Sequence, residues 1–312
     1  MAERRVTREF FDKPALTIEE QVSLLKARGL VIPDPSRLSH YLNFISYYRF
    51  SGYFRYFYKD PKSKEPVFRQ EVEFEDVLNL YIFDRKLRNL LMDALERIEI
   101  AVKAAISNSL SVTADPFWLS DPQHFDFGHH DKILVLIEDV LGDDPKNHHQ
   151  QFISHFYRTY SGPHHPPGWM LMEVLSFASV SKIYQRLKGS YRVAVAKQFE
   201  VPHHSILESW LHALSFARNV CAHHQRVWNR SFTIQPKIPH SYSSDWPRSS
   251  NRTVYSVCAM THHLLRVIAD GSLWSNRLRE LIDDRPKVSL EAMGFRDGWS
   301  ETEFWSLEKP NN

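Results

Sequence analysis

The chain has 312 residues, and its 39 Lys and Arg against 37 Asp and Glu leave a formal net charge of +2. Such a balance argues against a protein that coats nucleic acid by bulk charge, although it is compatible with a local basic stripe. Two cysteines are too few for a disulfide framework or a four-cysteine zinc site. No window approaches about 18 uncharged apolar residues, and no signal peptide is recognisable. We therefore expect a soluble, cytoplasmic protein with no membrane partner.

The first 70 residues predict a helical segment of their own. Thr17–Glu20 forms a capping-box pattern, in which the Thr side chain and Glu20 each accept a backbone N–H at the start of a helix. Gly29 is a natural stop for this helix, and a second helix is expected from about residue 36 to residue 45. An aromatic and basic run follows at residues 47–58. The Pro- and Lys-rich stretch 60–66 is a natural joint, so we divide the chain into residues 1–70 and 71–312.

The larger part predicts an all-α body. Between Phe74 and Leu110 there is no Pro or Gly, and apolar residues recur at steps of three and four, which indicates one long amphipathic helix. The longest loop is expected at residues 231–251. Further helices are predicted at about 131–141, 147–160, 169–188, 191–199, 204–230, 252–270 and 272–283.

The strongest functional pattern lies at residues 215–230, within one of these predicted helices. Because each helical residue advances about 100°, Asn219 and His223 lie one turn apart on one face, and Arg226 and Arg230 would continue that stripe. Arg218 lies at the shoulder of the stripe. One helix would therefore display an amide, an imidazole and several guanidinium groups while its apolar side is buried.

This combination suits RNA cleavage. A histidine titrates near neutral pH and can move a proton either way, while a guanidinium matches the oxygens of a phosphorane. In such a reaction the ribose 2′-OH attacks the adjacent phosphate and leaves a 2′,3′-cyclic phosphate and a 5′-OH. The nucleophile belongs to the substrate and arginine can stabilise the charge, so no metal is required. The alternative interpretation of the spacing is an ordinary solvated helix face.

The pattern Arg218-Asn219-x-x-x-His223 resembles the signature of HEPN ribonucleases (higher eukaryote and prokaryote nucleotide-binding domains). Its longer form, with Trp228-Asn229-Arg230 behind it, is similar to the AbiD/AbiF-like abortive-infection proteins of bacteria. The likeness extends along the chain, to residues 17–53, to Phe83-Asp84-Arg85-Lys86-Leu87-Arg88, to Leu95–Glu99 and to the C-terminal Met293-Gly294-Phe295.

The resemblance implies a HEPN-like helical bundle with an additional N-terminal helical segment. It also implies phage defence through cleavage of RNA, restrained by a small noncoding RNA. Carried over, His223 is the general acid or base, Arg218 the ligand of the phosphate and Asn219 the orienting residue. Arg226 and Arg230 are candidate RNA contacts on the stripe argument. The catalytically silent alternative is a HEPN module that binds RNA or protein without cutting.

The active form is expected to be a homodimer. HEPN clefts are generally built where two copies of the motif meet, and this chain carries one copy. Five residues apart, Arg218 and His223 differ by about 140° around a helix, which does not easily focus both on one phosphate. Two copies related by a two-fold axis could do so.

Three other features have competing interpretations. Cys221 cannot easily reach His223 from two residues away on a helix, so we interpret it as a small buried residue rather than a nucleophile. Six His-His pairs could hold a metal, but their spacing is not that of a usual site, and we expect neither metal nor cofactor. Glu96 and Glu99 could hold Arg218, although ordinary helix charges are the simpler interpretation. The aromatic run at 47–58 could stack RNA bases or form a hydrophobic seam.

Overall fold

The regular structure of the chain is helical. The computed structural model describes residues 10, 14–126, 128–242, 246 and 250–305. Within these residues the backbone forms α-helices and short 3-10 turns, and extended pairing is limited to isolated bridges. The prediction of an all-α fold is confirmed, while the assignment to a HEPN bundle stays a prediction. None of the described helices combines the length and the apolar character that crossing a bilayer requires.

Twelve α-helices occur in the described residues, numbered here in chain order. They are α1 (Ile18–Ala27), α2 (Pro35–Ile45), α3 (Tyr47–Phe57), α4 (Phe74–Thr113), α5 (His130–Leu141), α6 (Gln151–Thr159), α7 (Gly168–Val174), α8 (Phe177–Arg186), α9 (Gly189–Gln198), α10 (His204–Ala222), α11 (Val254–Ile268) and α12 (Trp274–Asp283). The long predicted helix is present as α4, as the uninterrupted apolar periodicity required.

The chain divides into two compact units, residues 1–83 and 84–312, and the division falls within α4. Compactness does not establish which segment folds independently, so the boundary expected near residue 70 stays a prediction.

The first unit is organised around aromatic side chains. The predicted capping box is present, since the Glu20 backbone N–H donates to Thr17 Oγ1 at 3.2 Å and the Thr17 N–H donates to Glu20 Oε2 at 2.7 Å. The aromatic run forms α3, whose Phe50 and Phe54 are fully buried with stacked rings 5.9 Å apart. The buried side chains of this run favour the hydrophobic seam over a base-stacking surface.

The second unit is built around helices α4, α10 and α11. Nearly every side chain of α11 is buried, which identifies it as a core helix that other elements surround. Helix α10 packs against α8, α9 and α11. Trp274 of α12 is buried and donates its indole N–H to the Leu90 carbonyl of α4 at 2.8 Å. Helix α10 is therefore packed into the core along most of its length, with buried residues from Leu207 to Cys221.

Two predicted helices end differently in the structure. The helix predicted at 169–188 is two helices, because Leu175 and Ser176 adopt extended backbone and the Ser176 side chain caps α8 by accepting the Ser179 N–H. The helix predicted at 204–230 ends at Ala222. This second difference lies in the functional motif.

Candidate active site

Helix α10 ends at the motif in a Schellman turn. The N–H of His224 donates to the carbonyl of Cys221 at 3.0 Å, and the N–H of Gln225 donates to the carbonyl of Val220 at 3.0 Å. These two bonds satisfy carbonyls that the end of a helix would otherwise leave unpaired. His224 occupies the position that usually carries glycine, with a φ of 54°. The second histidine of the motif therefore ends the helix.

The three predicted catalytic residues lie on the last turn of α10 and on its cap. His223 is the C-cap, with near-helical backbone, and its N–H donates to the Asn219 carbonyl at 3.0 Å. Its imidazole is exposed and has no hydrogen-bond partner among the described residues. Arg218 and Asn219 are half-buried, and Arg218 Nη1 lies 3.5 Å from Asn219 Oδ1. The described chain thus offers His223 to solvent while the other two side chains are partly enclosed.

Arg218 is held by an acidic residue of α4. Its Nε lies 3.5 Å from Glu99 Oε2, and the side chain of Glu99 is 11% exposed. Glu99 also pairs through Oε1 with Lys103 Nζ at 3.1 Å. A carboxylate this enclosed needs such cationic partners, because removing a charge from water is costly. Glu99 therefore takes part both in an ordinary helix pair with Lys103 and in a contact with Arg218.

Asp84 fixes the segment that follows the motif, a role that the sequence alone did not predict. Its carboxylate is fully buried, and Oδ1 accepts the backbone N–H of Val227 at 3.1 Å and of Trp228 at 2.6 Å. Its other oxygen pairs with the guanidinium of Arg88, itself only 5% exposed. A buried carboxylate is tolerated when donors of this kind satisfy it. The spacing of Asp84 and Arg88, four residues apart on a helix, was the only local signal of this contact.

The prediction that Arg226 and Arg230 continue the helical stripe of Asn219 and His223 is wrong. The left-handed backbone at His224 turns the chain out of the helix, and both arginines lie beyond it, half-buried. Arg230 Nη1 donates to the Arg226 carbonyl at 3.2 Å, and its guanidinium lies over the Phe216 ring at 5.8 Å from the centroid. Burial lowers the pKa of Arg230. Contact between these arginines and RNA stays a prediction, but a shared helical face with Asn219 and His223 no longer supports it.

Cys221 is a buried side chain, as expected. It is 5% exposed, and burial raises the pKa of its thiol to about 12. A thiol of this kind stays protonated at neutral pH and is a poor nucleophile. The structure therefore agrees with a packing role for Cys221.

Two clusters elsewhere bring histidine together with carboxylates. His165 Nε2 lies 2.8 Å from Glu138 Oε1, and His164 Nε2 lies 3.8 Å from the same oxygen. In the other cluster, His124 lies beside Asp115 and Asp121. The first cluster contains histidine and carboxylate groups, which are ligand types that bind zinc. His165 also makes a structural hydrogen bond, since its Nδ1 lies 2.9 Å from Ser120 Oγ.

Fold and site together define an all-α protein in which the end of a buried helix carries an arginine, an amide and an exposed histidine. Residues 40–229 match the family of Abi-like proteins, and this match covers more than half of the chain. The chain belongs to the Abi-like protein family, which makes it an abortive-infection protein in general terms. The matched range includes Asp84, Glu99 and the motif at 218–223. No curated protein and no solved structure gives a significant match.

Proposed function

We propose that this protein is a HEPN-type endoribonuclease that acts as an abortive-infection toxin against phage. The observation that carries the proposal is the arrangement at the end of α10. An exposed imidazole at His223 follows Asn219 by one turn, and Arg218 is anchored by Glu99. Membership of the Abi-like family supports a role in abortive infection.

In the proposed reaction, one His223 imidazole removes the proton of a ribose 2′-OH. The 2′-oxygen attacks the adjacent phosphorus, the bond from phosphorus to the 5′-oxygen breaks, and the same imidazole, now protonated, supplies its proton to that oxygen. The products are a 2′,3′-cyclic phosphate and a 5′-OH. Arg218 stabilises the phosphorane charge and Asn219 orients the substrate. The cycle needs no metal ion, because the substrate provides the nucleophile.

The proposed active form is a homodimer. A two-fold axis would create two clefts, each combining Arg218 of one chain with His223 of the other, so that both side chains could reach one phosphate. In a single chain Arg218 is directed to Glu99 on α4, and His223 has no orienting partner among the described residues. A second copy of the motif across a two-fold axis would bring an Arg218 and a His223 to the same phosphate.

Mixing two inactive variants tests this composite cleft. Arg218→Ala and His223→Ala chains, denatured together and refolded, would form mixed dimers in which one cleft combines an intact Arg218 with an intact His223. We expect the mixture to regain about a quarter of the wild-type cleavage rate, because half of the dimers are mixed and each has one intact cleft of two. Each variant refolded alone should stay inactive. A mixture that remains inactive, or a fully active monomer in light scattering, would refute the composite cleft.

The catalytic proposal itself is tested with His223→Ala. Induced expression of the wild type should arrest growth, and mapped RNA ends should carry cyclic phosphates and 5′-OH groups, with cleavage in vitro unaffected by EDTA. His223→Ala should be harmless and should leave RNA intact, and His155→Ala, which removes an exposed histidine of α6, controls for loss of an imidazole. Toxicity that persists in His223→Ala, or products with 3′-OH ends, would contradict the mechanism. RNA binding without cleavage by the wild type would favour the silent module.

Control by a small noncoding RNA is part of the proposal and rests on the family resemblance. Co-expression of RNAs transcribed from sequence adjacent to the gene should suppress growth arrest. Purification of the complex should then recover the RNA in stoichiometric amount.

A further inference from the structure

A groove of about 440 Å³ runs between α8 and α10 and ends at Asn219. One wall is the face of α8 that carries Lys182 and Arg186, four residues apart. The other wall is the face of α10 that carries His212, Phe216 and Asn219 at steps of four and three residues. The amide of the predicted catalytic motif therefore lies at one end of a continuous depression.

Cations dominate the groove. Lys182 is exposed, and Arg186 is half-buried, with Nη1 donating to the Lys182 carbonyl at 2.9 Å. The acidic residue of the lining, Glu208, is already neutralised: its Oε2 lies 3.3 Å from Arg192 Nη1, and its Oε1 accepts from the Gln185 amide at 3.1 Å. A groove whose two basic side chains are not neutralised by its own acidic residue favours an anionic occupant.

The groove also offers contacts for a base. Phe216 presents a half-buried ring to it, and the exposed Gln235 also lines it. Aromatic rings and amide groups are the usual partners of unpaired bases in single-stranded RNA. The volume lies in the range of about 300–1,000 Å³ that is typical of sites for small ligands, which suits a nucleotide and not a duplex.

We propose that this groove binds the single-stranded nucleotides next to the scissile phosphate, with Lys182 and Arg186 on the phosphates and a base against Phe216. The inference rests on the proposed ribonuclease function and specifies its substrate as unpaired RNA. It also gives the direction of the substrate on the protein, along α10 from His212 toward Asn219. The groove thus provides RNA affinity at one place on the surface, whereas the net charge of +2 is too small to provide it over the whole protein.

Binding measured without cleavage tests the groove. Full-length protein carrying His223→Ala is titrated into a fluorescein-labelled, mixed-sequence single-stranded RNA, and fluorescence anisotropy is followed at several salt concentrations. Introducing Lys182→Glu into this protein should raise Kd for the RNA about tenfold at low salt. The slope of log Kd against log salt concentration should also fall by about 0.7, which is the value for one lost phosphate contact on a single strand. Lys132→Glu, an equal charge change at an exposed position of α5, is the matched control and should leave Kd unchanged.

A second variant guards against an indirect effect on folding. Gln235→Glu places a negative charge in the lining, at an exposed position, and should raise Kd about threefold. Unlabelled single-stranded RNA should displace the probe, and duplex RNA should not. The proposal is overturned if Lys182→Glu and Lys132→Glu have equal effects, if duplex RNA competes equally well, or if no RNA binds. Because cleavage is not measured, a protein that binds in the groove but never cuts would refute the proposed function and leave this inference standing.

Discussion

Removal of the Asp84 carboxylate should destabilise the segment that follows the catalytic motif more than any exposed substitution. Asp84→Ala removes the carboxylate that pairs with the buried Arg88 guanidinium and that accepts the N–H groups of Val227 and Trp228. Breaking a buried ion pair from one side costs roughly 3–5 kcal/mol, and the two unpaired amides belong to the same network, so their cost is largely included. Against a typical total of about 5–15 kcal/mol, this is a large fraction of the stability.

Asp84→Asn separates charge from hydrogen bonding. The amide keeps an oxygen that can accept both backbone N–H groups and loses the charge opposite Arg88, so we expect a smaller loss of roughly 1.5–3 kcal/mol. Urea unfolding followed by circular dichroism gives the free energy of unfolding for both variants. Asp139→Ala, an exposed carboxylate on α5, is the control and should change it by less than about 0.5 kcal/mol.

Hydrogen exchange provides a local measure of the same contact. The amides of Val227 and Trp228 should exchange much faster in Asp84→Ala than in the wild type, because their acceptor is gone. A loss of stability below about 1 kcal/mol in Asp84→Ala, or unchanged protection of these two amides, would refute the reasoning.

Three further substitutions follow from the structure. His224→Val should destabilise the protein by about 1–2 kcal/mol relative to His224→Gly in thermal unfolding, because a β-branched residue is strained at a φ of 54°. Gly168→Ala should cost about 1–3 kcal/mol in urea unfolding, since a Cβ there would lie 2.3 Å from the indole nitrogen of the buried Trp118; a neutral result would contradict the close packing. Burial lowers the pKa of His262 from 6.5 to about 4, so in that window the unfolded chain binds a proton that the folded chain does not, and stability falls as pH falls. Within this window His262 should contribute a loss of about 1.4 kcal/mol per pH unit, which His262→Gln should subtract from a series of urea unfolding curves at different pH, while the lowered pKa of the neighbouring buried His263 keeps a slope of its own.

Local patterns in the sequence were sufficient for the elements whose cause is itself local. The absence of Pro and Gly with apolar steps of three and four predicts α4, and the Thr17–Glu20 capping box predicts the start of α1. The burial of Cys221 follows from its place on the apolar face of α10. These features depend on residues within a turn or two of one another.

The tertiary structure decided where α10 ends. The stretch 204–230 contains no glycine, and apolar residues continue through Val227 and Trp228, so periodicity favoured a longer helix. The segment that follows the end is held by Asp84, which is 143 residues from Val227 in the chain and accepts its N–H. The fold stabilises a left-handed His224 that local preference would not select.

The sequence by itself therefore determined the helical class and the presence of Arg218, Asn219 and His223, because composition and spacing are properties of the chain. Only the tertiary structure decided what surrounds them. Glu99 reaches Arg218 from another helix, and the α8 wall encloses the groove that ends at Asn219. Such contacts join residues far apart in sequence, and their energies depend on burial that no local window contains.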